Sequence, residues 1–109
     1  MSGGFWEYNN YIIDEVAGSI ENKIENNNIQ PEYWCGDWDG QLYNDQVIEE
    51  FKKAHAILAI AGVYAHRADW LLSGDDGDDT FVRRTKEKLE DLKKTDKYGY
   101  ITKILDVLK

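Results

Sequence analysis

The chain has almost nothing with which to frame itself covalently: one cysteine, one proline and one methionine in 109 residues. Cys35, being alone, cannot close an internal disulfide, which fits a reducing compartment. The opening MSGGFWEYNN has neither a basic start nor an apolar run, so no secretory signal is expected. Long hydrophobic runs are missing too. The longest, 54–65, is interrupted by His55 and is too short to span a bilayer. Positive charge is scarce, 13 Lys and Arg against 21 Asp and Glu, for a net charge of −8. The deficit is uneven: residues 1–79 carry 16 acidic and 4 basic side chains, and residues 80–109 carry 5 acidic and 9 basic. An acidic body disfavours direct binding to nucleic acid or anionic lipid. These absences predict a cytoplasmic protein with no membrane partner. Its basic C-terminal third is expected to pair with the acidic part of its own chain or of a neighbouring copy.

What is present is helical periodicity. The composition, 42% apolar and 31% charged, suits one folded domain over 1–109. Phe5, Tyr8, Ile12, Val16, Ile20 and Ile24 recur at three- and four-residue steps, widened by Ile13 and Ala17, and predict a helix over 5–26. The run Asn26-Asn27-Asn28 ends it. Residues 27–44 read as a long loop punctuated by Pro31, Gly36 and Gly40. A central helix follows over 46–72, with Asn44 or Asp45 as its cap. It is apolar nearly all round from 54 to 65 and must be covered on several sides. Ala54, Ala61, Gly62, Ala65 and Ala68 let neighbours approach closely. One short chain supplies limited cover, so a homodimer is expected. Gly74 closes the helix, and Asp78 or Asp79 caps a third over about 80–94, with Phe81, Thr85, Leu89 and Leu92 inward. A last helix over about 97–108 uses Tyr98, Ile101, Ile104, Leu105 and Leu108. The fold class is all-α: a small bundle of three to four helices with a long aromatic and acidic loop after the first.

Several constellations suggest chemistry, and each has a plainer reading. Asp75, Asp76, Asp78 and Asp79 around Gly77 look like a calcium loop. With Gly77 as the sixth position, however, the first is Leu72 and the twelfth is Arg83, where acidic ligands are required. The aspartates are better read as complementing a helix N-terminus. His66, Arg67 and Asp69 gather near the end of the central helix. Asp69 falls on the apolar face, where an unpaired charge is costly, so it should pair with Arg83, Arg84 or a buried donor. Alternatively His66, Arg67 and Asp69 face a ligand. His55 reads as a satisfied core or interface histidine. Glu87 and Glu90 form one ExxE on a Lys-rich helix with no second acidic pair to share a metal. No catalytic constellation assembles, and no metal or cofactor is expected. The loop residues Tyr33, Trp34, Asp37, Trp38 and Asp39 are the best partner-binding candidates, since indoles flanked by acids suit a protein hot spot or a cationic partner, and Asp75, Asp76, Asp78 and Asp79 are candidates for the same role. The competing reading has Trp34 and Trp38 plug the open end of the bundle.

The segment from Tyr64 to Phe81, YAHRADWLLSGDDGDDTF, with Arg83 and Arg84 just beyond, resembles small proteins of tailed bacteriophages and prophages. Those share an R-x-D-W-L-x-S-G-D-D-G-E-D/E-S/T-F block. The opening FWEYNNYIIDEVAGSIENKIENN and the segment Ile48-Glu49-Glu50-Phe51-Lys52-Lys53-Ala54 are similar to the same family, so the likeness covers most of residues 5–90. Asp78 stands where Glu is commoner, which argues against strict metal geometry. The family brings context rather than an activity. Small acidic phage proteins without catalytic motifs are often inhibitors of restriction, CRISPR effectors or nucleotide-signalled immunity. The resemblance therefore implies a non-enzymatic protein that binds, and inhibits, a host defence protein in the bacterial cytoplasm. Three alternatives stand beside it. One is a DNA mimic, weakened by the basic residues 80–109. The second is an oligomeric sponge for a nucleotide signal, using His66, Arg67, Arg83 and Arg84 on phosphates. The third is a phage structural or accessory protein.

Overall fold

The computed structural model describes residues 6, 9–27, 43–74 and 76–108. They form four helices: α1 (Tyr11–Glu25), α2 (Asp45–Leu72), α3 (Asp78–Lys93) and α4 (Tyr100–Leu108). The small all-α bundle expected from the periodicity is what forms. Phe5, Tyr8 and the loop candidates Tyr33, Trp34, Asp37, Trp38 and Asp39 lie outside the described residues, as does Asp75.

α2 organises the molecule. Asn44 caps it, its Oδ1 accepting from the Val47 N–H at 2.9 Å. Its 28 residues run past α1 on one side and past α3 and α4 on the other, and among these helices α1 packs on α2 alone. The result is a flat layer whose Cα trace measures 51 × 31 × 17 Å. The tightest core lies between α2 and α4, where Ala56 and Ile60 meet Ile101 and Leu105, with Leu89 and Leu92 of α3 against them. Each large side chain buried there contributes about 1.5–3 kcal/mol.

The helix starts and stops differ from the periodicity in instructive ways. α1 begins at Tyr11 rather than residue 5. Its buried stripe is also rotated: Ala17 is buried, but Ile12 and Val16 remain 53% and 43% exposed. Ile13 and Asp14 sit against Gly62 of α2, and a Cβ at Gly62 would lie 2.6 Å from the Asp14 carboxylate. That close approach fixes which side of α1 faces inward. α3 starts two residues early, with Gly77 as the N-cap and no side-chain cap bond, so neither Asp78 nor Asp79 is the cap. Both stand in the first turn, where they act on the helix dipole. α4 starts at Tyr100, after Gly99 turns the chain at φ +83. Asp96 organises that turn, accepting from the N–H groups of Gly99, Ile101 and Thr102 and from the Thr102 hydroxyl. Burial works to raise its pKa, but these donors outweigh it and hold the carboxyl below its usual range. Tyr98 is thereby left in the turn instead of on the apolar stripe of α4.

The basic C-terminal third does clasp the acidic body of its own chain. Lys97 bridges Glu21 at 3.3 Å and Glu25 at 3.6 Å. The Tyr98 hydroxyl donates to Glu25 at 2.8 Å, and the Tyr100 hydroxyl donates to Glu49. His55 completes this clasp, with Nε2 3.0 Å from Glu21 and its ring edge-on to Tyr98 at 5.8 Å. It sits between helices, as expected of an interface histidine, but its buried Nδ1 has no hydrogen-bond partner among the described residues, so only one ring nitrogen is satisfied. No helix among the described residues is long and apolar enough to cross a membrane.

Candidate functional site

The distinctive local structure is the turn from α2 to α3. α2 stops at Leu72; Gly74 then takes φ +85, a conformation that costs glycine nothing, and Gly77 leads extended into α3. This reversal drops Asp76 between the two helices, where its side chain is fully buried. A buried carboxylate requires cationic or hydrogen-bonding partners. Arg67 of α2 donates to Asp76 Oδ2, and Arg84 of α3 lies 3.7 Å from its other oxygen. Arg67 is itself buried, whereas the Arg84 side chain is 46% exposed.

The paired arginines and aspartates of the sequence thus do meet, in a different combination from the one expected. The carboxylate between the arginines is Asp76. Asp69, 0% exposed, accepts from the hydroxyl of the half-buried Ser73 at 3.4 Å. Arg83 is exposed, and Asp78 and Asp79 are exposed on the first turn of α3.

One turn up α2, His66 tethers α1. Asn10 Nδ2 lies 2.5 Å from Nδ1, and Asp14 Oδ2 lies 2.5 Å from Nε2. An amide nitrogen can only donate, so Nδ1 accepts, and the ring proton on Nε2 is donated to Asp14. The Tyr11 ring leans on the imidazole at a centroid distance of 4.5 Å. Below it, the Arg67 guanidinium sits 5.4 Å from the centre of the Trp70 ring.

These side chains surround an open groove of about 610 Å³ between α1 and α3, floored by α2. Tyr11 forms its α1 wall. Val63, His66, Arg67 and Trp70 form the floor, and Arg84, Glu87 and Lys88 form the α3 wall. The size lies within the ordinary range for ligand sites. Two aromatic rings and two exposed cations, Arg84 and Lys88, face it alongside a single exposed acid, Glu87. The groove can therefore take a planar or apolar group on its rings and an anionic group on α3.

Of the residues singled out in the sequence, the fold brings His66, Arg67, Arg84 and Asp76 together and leaves Arg83, Asp78 and Asp79 on the periphery. Sequence reasoning missed Tyr11, Trp70 and Lys88. Trp70 carried a usable signal: it lies three residues after Arg67, hence on the same side of the helix. Lys88 lies four after Arg84, and the same rule applies. Tyr11 had none, because its position depends on how α1 docks. Among the described residues, no three His, Cys, Asp or Glu converge as metal ligands would. No family model matches the chain, and neither a curated protein nor a solved structure does.

Proposed function

We propose that this chain works by binding, without turnover, and that its partner is a bacterial host protein whose action it blocks, a defence component in the phage setting its sequence resembles. The observation that carries this reading is the groove. Tyr, Trp and Arg are the residue types that dominate protein hot spots, and Tyr11, Trp70 and Arg84 supply all three around one concavity. The groups that would otherwise suggest acid–base chemistry are engaged structurally: His66 holds α1 through Asn10 and Asp14, and Arg67 neutralises Asp76. Asp78 and Asp79 are exposed at the α3 start but do not line the groove. A continuous DNA-like acidic face is less well supported, since Arg83, Arg84, Lys86 and Lys88 follow directly on α3.

The test is functional. The chain is expressed in bacterial hosts that each carry one defence system, and phage plating is scored. Protection should fail in at least one host. Trp70→Ala and Arg84→Glu, folded by circular dichroism, should restore it. Undiminished protection across the panel, or inhibition that survives both substitutions, would refute the reading.

A second reading draws on the same cluster: the groove takes a nucleotide, with the base against Tyr11 or Trp70 and phosphate on Arg84 and Lys88. Thermal shifts against a panel of cyclic and linear nucleotides separate the two. A stabilisation lost in Arg84→Ala favours the nucleotide, and flat curves remove it.

A further inference from the structure

We propose that the helical layer docks a second copy of this chain through the face opposite the groove. With α1 on one flank of α2 and α3 and α4 on the other, two faces of the central helix remain. Val63, His66, Arg67 and Trp70 occupy the one that floors the groove. The other carries Ile57, Tyr64 and Leu72, spaced seven and eight residues apart, hence stacked two turns from each other, and 55%, 42% and 49% exposed. The neighbouring helices extend the same face. Val16 lies about 140° around α1 from Tyr11, and Val82 lies about 160° around α3 from Arg84, so both point away from the groove. Both are exposed. Leu108 of α4 shares with Tyr64 an apolar notch of about 280 Å³ walled by Leu89 and Leu105. Most of the large exposed apolar side chains among the described residues thus gather on one side.

Three observations identify the occupant as another copy. First, with Ile12 at the α1 edge, seven large apolar residues of this face are 42–57% exposed, a patch on the order of several hundred Å², the scale of the about 800 Å² per partner of a standard interface. A monomer rarely leaves such a patch open. Second, the face is suited to meet itself electrostatically. The chain carries −8 overall, yet this face carries both signs: Glu50 pairs with Lys53 at 3.2 Å, Glu90 pairs with Lys93 at 3.3 Å, and Lys86 adds a further cation at the notch. A two-fold interface sets each patch against its own copy, so it cannot carry a surplus of one sign. Third, the notch beside Tyr64 offers a ready socket for an apolar side chain of the partner, and two-fold symmetry makes that contact twice. The proposal is independent of what the groove binds.

Sedimentation and light scattering of the full chain over about 1–100 µM test it, because mass action shifts a dimer across that range. The expected result is a dimer. Ile57→Glu and Tyr64→Glu should each weaken it at least about tenfold with helicity retained, and Trp70→Ala should leave it intact. Should the Glu variants lose helicity, hydrogen exchange of the unmodified chain decides: amides around 57–72 should exchange more slowly as concentration rises. A monomer throughout, a dimer untouched by Tyr64→Glu, or concentration-independent exchange at 57–72 would overturn the proposal.

Discussion

Replacing Asp76 with alanine should damage the fold as much as removing its partner Arg67 and far more than removing Arg84, and this ranking can be worked from the structure. The carboxylate is fully buried and holds two arginines of different helices. Removing it leaves Arg67, 7% exposed, with a charge that has lost its partner. Breaking a buried pair from one side costs about 3–5 kcal/mol, mainly the penalty of the orphaned ion. Arg84 contributes little to that penalty, because its half-exposed guanidinium can turn to water. Asp76→Ala should therefore cost about 3–5 kcal/mol, Arg67→Ala about the same, and Arg84→Ala under about 1 kcal/mol. A domain of this size holds roughly 5–15 kcal/mol in all, so the first two changes remove a large share. Melting temperature should fall by about 12–20 °C, at about 4 °C per kcal/mol. Urea unfolding followed at 222 nm gives the free energies. The double variant Asp76→Ala with Arg67→Met removes the charge as well as its partner and should recover much of the loss. If Asp76→Ala costs less than about 1 kcal/mol, or Arg84→Ala costs as much as Arg67→Ala, the assignment of the pair is wrong.

Other predictions follow from single features. Leu105→Ala or Ile101→Ala, at the α2–α4 core, should cost about 2–5 kcal/mol by chemical denaturation. Gly62→Leu should force α1 off α2 and cost about 1–3 kcal/mol. Gly62→Ala should stay near neutral, because the helix propensity it gains offsets the displaced Asp14 carboxylate. Asp96→Ala removes the acceptor for four donors at the α4 start and should cost about 0.5–2 kcal/mol at neutral pH. The Asp96 pKa lies below its ordinary value, so its contribution is present above the ordinary carboxylate range and fades as pH falls through the lowered pKa. The stability gap between wild type and Asp96→Ala should therefore narrow in acid, as melting at stepped pH will show. Burial, and then the hydrogen bond to Glu25, push the Tyr98 hydroxyl upward. Stability should accordingly decline above pH about 10, where the unfolded chain sheds that proton first, and Tyr98→Phe should abolish this part of the alkaline loss.

The helices were legible because their cause is local. The all-round apolar stretch at 54–65 announced a central helix, and α2 fills that role. Gly74, placed after an apolar run, announced the reversal, and it adopts the left-handed turn expected. The rotation of α1 was not legible, since Ile12-Ile13 and Val16-Ala17 offer two adjacent apolar stripes. The close approach at Gly62, together with the anchoring of Asn10 and Asp14 on His66, decides between them. The site was half legible for the same reason. Arg67, His66 and Arg84 stood out as charges near an apolar helix end. Which aspartate they meet depends on the path of the turn, and that path buries Asp76 while leaving Asp78 and Asp79 in solvent. Tyr11 joins them from 55 residues away in sequence through helix docking, a tertiary event no local pattern encodes.

The most direct test of a groove that binds a host protein is hydrogen exchange of the full chain, free and in complex with the defence component whose inhibition the plating assay reveals. Protection should concentrate at Tyr11, at 63–70 on α2 and at 84–88 on α3, and should vanish in Arg84→Glu. Protection confined to the Ile57–Tyr64–Leu72 face, with the groove exchanging as in the free chain, would contradict the account.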